Sequence, residues 1–491
     1  MKRLFPLLLA LLLLLPAAAA CKNDEKPPET DTGDDTVEEM DIGLPSRNFN
    51  EATFRILDAN DHPELHVNYS ETADGTAVQQ ALYSRDAYVE KAYGLFLEYT
   101  QENNTGGAAI SKFTNSFDAG DRNYDMIVST LNFSEESGSR LTALATSGYL
   151  ADLAKLPTLE LDEKWWSAQM YEQMNLGGKM YFSTGDIMAS VYDAPMIIYA
   201  NKTLLAQQEI TDDLYAAVDD GSWTLEYMAD LVKDADRDLD SEPEMSVKSD
   251  FYGFISQPLR LTVQGLLVGM DYQLSGVVED TILVNVDQDI SGYADRIKNA
   301  VSPVTIQWTK GETTDDVINS AFKNDRAIFL CHLIEAATHG LKDMASDYAI
   351  LPMPKGSTSQ TEYHSLVNGW VNCFVGVPYF TEDGMADMTG FILEALARTS
   401  YQIVRPVAFD KVVMYQSVRE PQSLAMLDII YNTLYVDFHA VYDFGGWGTA
   451  VADYVYKDQS LTSSIAKIKD AIYEKAQEVA TDWLDPRSGQ N

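Results

Sequence analysis

Short apolar runs, four to six residues long and separated by helical stretches, constrain this chain more than any other feature in it. Phe54 to Leu57 and Tyr124 to Ser129 (YDMIVS) read as strands, and between them Val78, Leu82, Val89 and Tyr93 form one stripe at spacings that fit a helix. Strand, helix and strand within one unit predict a parallel α/β sheet. Further runs of buried-strand length follow at Met196 to Tyr199, Ala327 to Leu330, Tyr348 to Leu351 and Cys373 to Val377. Thr224 is placed to cap a helix, and Leu461, Ile465, Ile468, Ile472, Ala476, Val479 and Trp483 recur in steps of three and four along a last one. No repeat of fixed period is present. A chain of 491 residues has room for two or three domains at roughly 100–200 residues each.

The amino terminus concerns location. Lys2 and Arg3 precede the apolar run Leu4 to Leu15, and Pro16 and four alanines then lead to Cys21. This is the pattern of a secretory signal over 1–20, too short for a comfortable membrane span. Cysteine directly after Ala18, Ala19 and Ala20 resembles a bacterial lipobox, with Ala18 where Leu is usual, and predicts lipidation at Cys21. A tether over 21–48 is expected next, because residues 22–41 hold nine Asp or Glu against two Lys and almost nothing apolar. The whole chain carries 75 acidic against 35 basic side chains, net -40, which excludes nucleic acid and disfavours anionic surfaces. Such acidity is the ordinary property of a solvated surface and names no ligand.

Motifs for catalysis or cofactors are missing: there is no H-E-x-x-H, C-x-x-C, G-x-S-x-G or phosphate-binding loop, so no cofactor and no metal site is expected. The six His are scattered. Asp234, Asp236, Asp238, Asp240 and Glu242 alternate as in a cation loop, yet Leu239 and Met245 stand where its Gly and bidentate Glu belong. Cys331 and Cys373, in apolar runs, read as small buried hydrophobes, with pairing across strands as the other option. The positive signal is aromatic. Among 27 Tyr and seven Trp, Tyr252, Trp370, Tyr442 and Trp447 sit in loop-like contexts beside Gly, Asn or acidic residues. Rings beside amides and carboxylates suit sugars, whose C–H faces stack while their hydroxyls need donors and acceptors. A ring taken singly is more often core; Trp447, in a Gly-rich loop, is the expected exception.

YDMIVSTL at 124–131, SGYLADL at 147–153, NLGGKMYFSTGDI through PMIIYANKTLL at 175–205, GSWTLEYMADLVKDA at 221–235, FKNDRAIFL at 322–330, YAILPMPKG at 348–356 and LDIIYNTLYVDF through GGWG at 427–448 together resemble the extracellular solute-binding proteins, family 1, of bacterial ABC importers, the group of maltose-binding protein. The resemblance implies a two-lobed α/β fold with a ligand cleft and three inter-lobe crossings, near Ala189 to Tyr192, Leu330 to Leu333 and Val377 to Pro378. The lobes would then comprise 49–190 plus 332–377, and 191–331 plus 378–491. Ligands in such folds bind outside the carboxyl ends of strands, which nominates Asn132, Tyr192, Asp193, Tyr252, Gln257, Trp370, Asn372 and Trp447. Asn132, Asp193 and Gln257 would hydrogen-bond ligand, and Trp370 and Trp447 would stack on it. Trp165 and Trp166 also match, with packing as their expected role.

The expected function is that of a lipid-anchored binding protein on the outer face of the cell membrane. It would capture a carbohydrate, in particular an oligosaccharide, by lobe closure and pass it to an ABC permease, with no catalysis. A binder of peptide or another non-sugar solute shares the fold, and a surface glycosidase using two cleft carboxylates is the remaining alternative.

Overall fold

The computed structural model describes residues 40–60, 67–103, 107–131, 140–240, 242, 245–286, 289–301, 313–380, 383–414 and 421–486. The signal, Cys21, most of the acidic tether and Asn132 lie outside them. Among the described residues no helix is long and apolar enough to cross a membrane.

Two separate sheets organise the chain. The first has five strands in the order β2 (Leu95–Gln101), β1 (Ala52–Ala59), β3 (Met126–Thr130), β12 (Cys373–Gly376) and β4 (Phe182–Ser183). The second has four, in the order β10 (Tyr348–Leu351), β5 (Met196–Asn201), β9 (Ala327–Leu333) and β6 (Tyr252–Ser256). Two short ribbons, β7 (Ser275–Val278) with β8 (Thr281–Val284) and β11 (Ser365–Leu366) with β13 (Leu434–Tyr435), complete the set. All residues of β3, β5, β6, β9, β10 and β12 are buried, as continuous apolar runs covered on both faces must be.

The sheets are mixed, where a parallel sheet is expected from the sequence. β1 pairs in parallel with β2 and β3, and β6 with β9, but β12 runs against β3 and β4, and β5 against β9 and β10. The cause is connectivity. β5 and β12 are each entered from the other sheet, so they start where the sheets meet and run away from it, whereas β3 and β9 end there: Cys373 at the start of β12 faces Thr130 at the end of β3, and Met196 at the start of β5 faces Leu333 at the end of β9.

The helix Ala77–Tyr93 shows how local signals set an element. Thr76 accepts from Gln79 N while the Gln79 side chain accepts from Thr76 N, a reciprocal cap, and Gly94 ends the helix at φ 60°, a conformation that favours glycine. Leu82, Val89 and Tyr93 are buried as the stripe requires, while Val78 is half-buried. Thr224 accepts from Tyr227 N at 3.2 Å and opens Leu225–Val232. Leu461–Leu484 buries the predicted stripe apart from Ile468.

Three boundaries differ from expectation. Tether behaviour ends before residue 48, because Ile42 is buried, its carbonyl accepts from Arg398, and Arg47 meets Asp387 at 2.6 Å. β9 and β10 both lie in the second sheet, so Leu330 to Leu333 is not a crossing, and 348–351 belongs with the second lobe. Val377 to Pro378 is not one either: after β12 the helix Asp383–Met414 packs on Ala77–Tyr93 of the first lobe, with Tyr93 edge-on to Phe391 at 4.8 Å. The chain passes between sheets at 184–195 and at 367–372, and the helix Pro421–Asn432 packs on β10 of the second sheet.

The paired tryptophans have the packing role expected of them. Trp165 and Trp166 donate their indole N–H groups to Glu394 on Asp383–Met414, at 2.7 and 2.9 Å, and Arg398 one turn on completes the clasp at 2.7 Å.

Candidate functional site

The connections between the sheets lie side by side. Ile334 N donates to Pro195 O at 3.0 Å and Glu335 N to Asp193 O at 3.1 Å, so the first connection is bound on one edge to the segment after β9. On its other edge Asn368 N donates to Ala194 O at 3.0 Å, and Pro195 bridges Val367. Leu131, at the end of β3, donates to Gly369 O at 2.9 Å. A continuous strip thus runs from the carboxyl end of β3 through 367–369 and 193–195 to the carboxyl end of β9, where Gln257, next after β6, lies 3.5 Å from His332. Carboxyl ends from both sheets meet here, as ligand binding in open α/β sheets requires.

Of the nominated residues, Tyr192, Asp193, Gln257 and Trp370 belong to this strip. Trp370 is 48% exposed, a large ring held toward solvent while its backbone N–H is fixed by Asn368 Oδ1 at 2.9 Å. Tyr192 and Asp193 line a cavity of about 200 Å³ with Thr76, Gln79, His339 and Lys411. Asp193 faces Lys411 at 3.6 Å, and this lysine on the helix Asp383–Met414 carries no sequence signal that marks it. Behind the cavity, Tyr192 donates to Asp186 Oδ1 at 2.7 Å, and Arg405 stands 3.5 Å from Asp186 Oδ2. Burial pushes the Asp186 carboxyl up to about 6 despite Arg405 and Tyr192, and burial beside Asp186 holds the Tyr192 hydroxyl well above its usual range. The phenol of Tyr192 is therefore a neutral donor committed to Asp186.

The other described candidates are elsewhere or otherwise employed. Tyr252 opens β6 opposite Ala327, at the amino end of the strand, and is completely buried. Alternation in a loop-like sequence hid that it begins a strand. Asn372 is also buried and clasps the first connection: its Nδ2 donates to Thr184 Oγ1 at 3.0 Å and its Oδ1 accepts from Ser190 Oγ at 3.4 Å. Trp447 offers no face to solvent. It begins the helix Trp447–Lys457, stacks on His439 at 4.6 Å and donates its indole N–H to His439 Nδ1 at 3.0 Å. Glycine explains this burial: Gly445 and Gly446, at φ 62° and 69°, turn the chain into the helix, and a Cβ at Gly448 would lie 2.7 Å from Gln264, which itself reaches His439 Nε2 at 3.0 Å. Burial, helped by Arg260, lowers the His439 pKa to about 3, so the ring is a neutral packing unit.

The acidic loop spends its oxygens on its own backbone. Asp238, Asp240 and Asp250 bring carboxylate oxygens within 4.8 Å of one another, but Asp250 accepts from Leu239 N and Ser246 N, Asp238 from Asp240 N, and Asp240 from Glu242 N. Cys331 and Cys373 are buried in different sheets and form no disulfide, and burial alone pushes the Cys331 thiol far up, which makes it inert.

Two α/β lobes joined by adjacent connections, with carboxyl ends of strands converging on them, constitute the two-lobed periplasmic-binding-protein fold. Among solved structures the chain is similar to a cyclo/maltodextrin-binding protein complexed with maltotetraose, at 12% identity over 87% of this chain and 98% of that one, with a TM-score of 0.52. It is also similar to the cyclic alpha-maltosyl-1,6-maltose binding protein from Arthrobacter globiformis, at 12% identity over 88% of this chain and 100% of that one, TM-score 0.51. At such identity the likeness concerns the fold. No family model and no curated protein sequence matches the chain.

Proposed function

We propose that this protein is the substrate-binding lipoprotein of an ABC importer, anchored through Cys21 on the outer face of the membrane, and that it captures a carbohydrate, in particular an oligosaccharide, and hands it to the permease. The observation that carries this reading is the strip of connections, where Trp370, 48% exposed, stands on the same strip as Asp193, which lines one cavity with Lys411. A flat ring beside hydroxyl-seeking groups is what a sugar needs. Both solved structures cited above are, by their names, binders of glucose oligomers. Ligand contacts made only in the closed arrangement would shift the lobes toward it.

The ligand-binding set is Asp193, Gln257 and Trp370, with Tyr192 orienting the first connection and Asn132 as the candidate from the loop after β3. The experiment is a thermal-shift and calorimetric panel of neutral oligosaccharides, with a peptide panel beside it. A sugar at 100 times its Kd stabilises by about 2.7 kcal/mol. No shift with any sugar at millimolar concentration, or a shift only with peptides, rejects the carbohydrate assignment. Chromatography of the recovered sugar should return it intact; shortened products would reveal a hydrolase. Replacing Cys21 with Ala should release the protein from the membrane fraction.

A further inference from the structure

Beneath the carboxyl end of β1 three buried polar residues meet: Asp58, Asn68 and Arg85 are 2%, 3% and 1% exposed. Arg85 projects from the core face of Ala77–Tyr93 and is held at every nitrogen. It donates to Asp86 Oδ1 at 2.7 Å, Ile187 O and Asn68 O at 3.1 Å, Tyr99 OH at 3.2 Å and Ser400 Oγ at 3.5 Å. Asn68 uses its side-chain carbonyl to accept from Ser190 N at 3.4 Å, which ties it to the segment feeding the first connection. Asn68 Nδ2 and Asp58 Oδ1 have no hydrogen-bond partner among the described residues. One is a donor and the other an acceptor.

Both residues line one small cavity, together with Arg85 and Tyr99, whose other walls are apolar. It leaves about 10 Å³ for the centre of a water-sized sphere. A single water needs on the order of 10–15 Å³ by that measure and two to four polar partners. An apolar occupant would leave a buried amide and a carboxyl oxygen unpaired, at a cost of roughly 1–3 kcal/mol each. A cation would sit against the Arg85 guanidinium. We infer that this cavity is the binding site of one ordered water, accepting from Asn68 Nδ2 and donating to Asp58 Oδ1, which ties the end of β1 to the segment entering the first connection. Burial pushes the Asp58 carboxyl up to about 7, and water, being both donor and acceptor, serves that group in either protonation state.

The test is a crystal structure of the full mature chain at a resolution that places waters. One peak within about 2.6–3.2 Å of both atoms is expected; an empty cavity, or Asp58 and Asn68 bonded directly, overturns the assignment. In solution, oxygen-17 relaxation dispersion counts long-lived internal waters. Val128→Ile, which adds a methyl group to an apolar wall of the cavity, should reduce that count by one, and Asp58→Leu should do the same without depending on the first variant. An unchanged count in a folded variant refutes the site.

Discussion

A solvent-facing indole and an enclosed one make different demands on a substitution. Trp370, half exposed on the strip of connections, touches little that holds the lobe together, so Trp370→Ala should weaken sugar binding by roughly 1–3 kcal/mol, 5- to 150-fold, with the melting temperature nearly unchanged. Trp447, enclosed by His439, Tyr272 and the Gly448 approach to Gln264, should behave the other way: Trp447→Ala should cost about 3–5 kcal/mol in urea unfolding. Equal affinity losses with no stability difference between the two variants would put both rings at the ligand. Asp58 carries a pH dependence of defined sign. Its folded pKa is raised from 3.8 to about 7 by burial, so its contribution to stability is fully present below pH 3.8 and is lost as pH rises through 7. Asp58→Asn removes that loss and should make the chain more stable at pH 8, by a few kcal/mol and at most about 4, while leaving stability near pH 4 almost unaltered. Parallel stability curves for the two proteins between pH 4 and 8 would contradict this.

At the scale of elements, one carboxylate organises a whole corner of the first lobe. Glu394 is fully buried and accepts from two indoles and a guanidinium, joining the segment around Trp165 to the helix Asp383–Met414. Burial raises its pKa, while Trp166, Arg398 and the backbone N–H of Glu160 pull it down. Glu394→Ala leaves the Arg398 Nε and two indole N–H groups without their acceptor, while Arg398 keeps Glu160 at 2.6 Å, and should destabilise by about 2–5 kcal/mol, read by urea denaturation; a loss below about 1 kcal/mol would mean that the clasp is idle. Nothing around Glu394 in the sequence marks it, because two of the three donors come from 228 and 229 residues away and the third, one turn on, meets it only through helix geometry. The strands and caps were legible for the opposite reason. Continuous runs such as MIIY and AIFL can be satisfied only by burial on both faces, and Thr224 acts on its own helix. Strand direction was not legible, because an apolar run is the same in either direction and β5 and β12 reverse only through where the chain enters them. What was legible is position: Asp193, Gln257 and Trp370 lie at the connections and strand ends to which the carboxyl-end rule assigns them. The burial of Tyr252, Asn372 and Trp447 was not legible, because a polar or aromatic residue beside Gly or Asn can equally be used for packing and clasping, and neither was the pairing of Asp193 with Lys411, 218 positions away in sequence.

For the molecule as a whole, the last helix determines how freely the lobes move. It packs on β8 and on Trp447–Lys457 of the second lobe, but its end is also bound to the first. Trp483, completely buried, lies edge-on to Phe182 of β4 at 5.7 Å and to Phe438 of the second lobe at 4.9 Å. Its indole N–H donates to Lys179 O at 3.2 Å, and its carbonyl accepts from Tyr181 OH at 2.9 Å. Lys179 Nζ in turn donates to Leu484 O. Met180, between these partners, is held to Asp152 of the first lobe at 3.0 Å, so the attachment does not travel with the second lobe. A helix fixed at both ends restricts hinge motion to those arrangements that keep Trp483 in its socket. Trp483→Ala, or removal of the chain after Val479, should therefore broaden the unliganded ensemble and raise its radius of gyration in small-angle X-ray scattering. Because a smaller fraction then occupies the binding-competent arrangement, the apparent affinity for ligand falls by the same factor. Tyr181→Phe removes one bond of the latch and leaves the socket filled, so its effect should be in the same direction and smaller. If the scattering profiles of the native chain and Trp483→Ala coincide while both remain folded, the helix is a passive part of the second lobe and the connections at 184–195 and 367–372 alone set the range of motion.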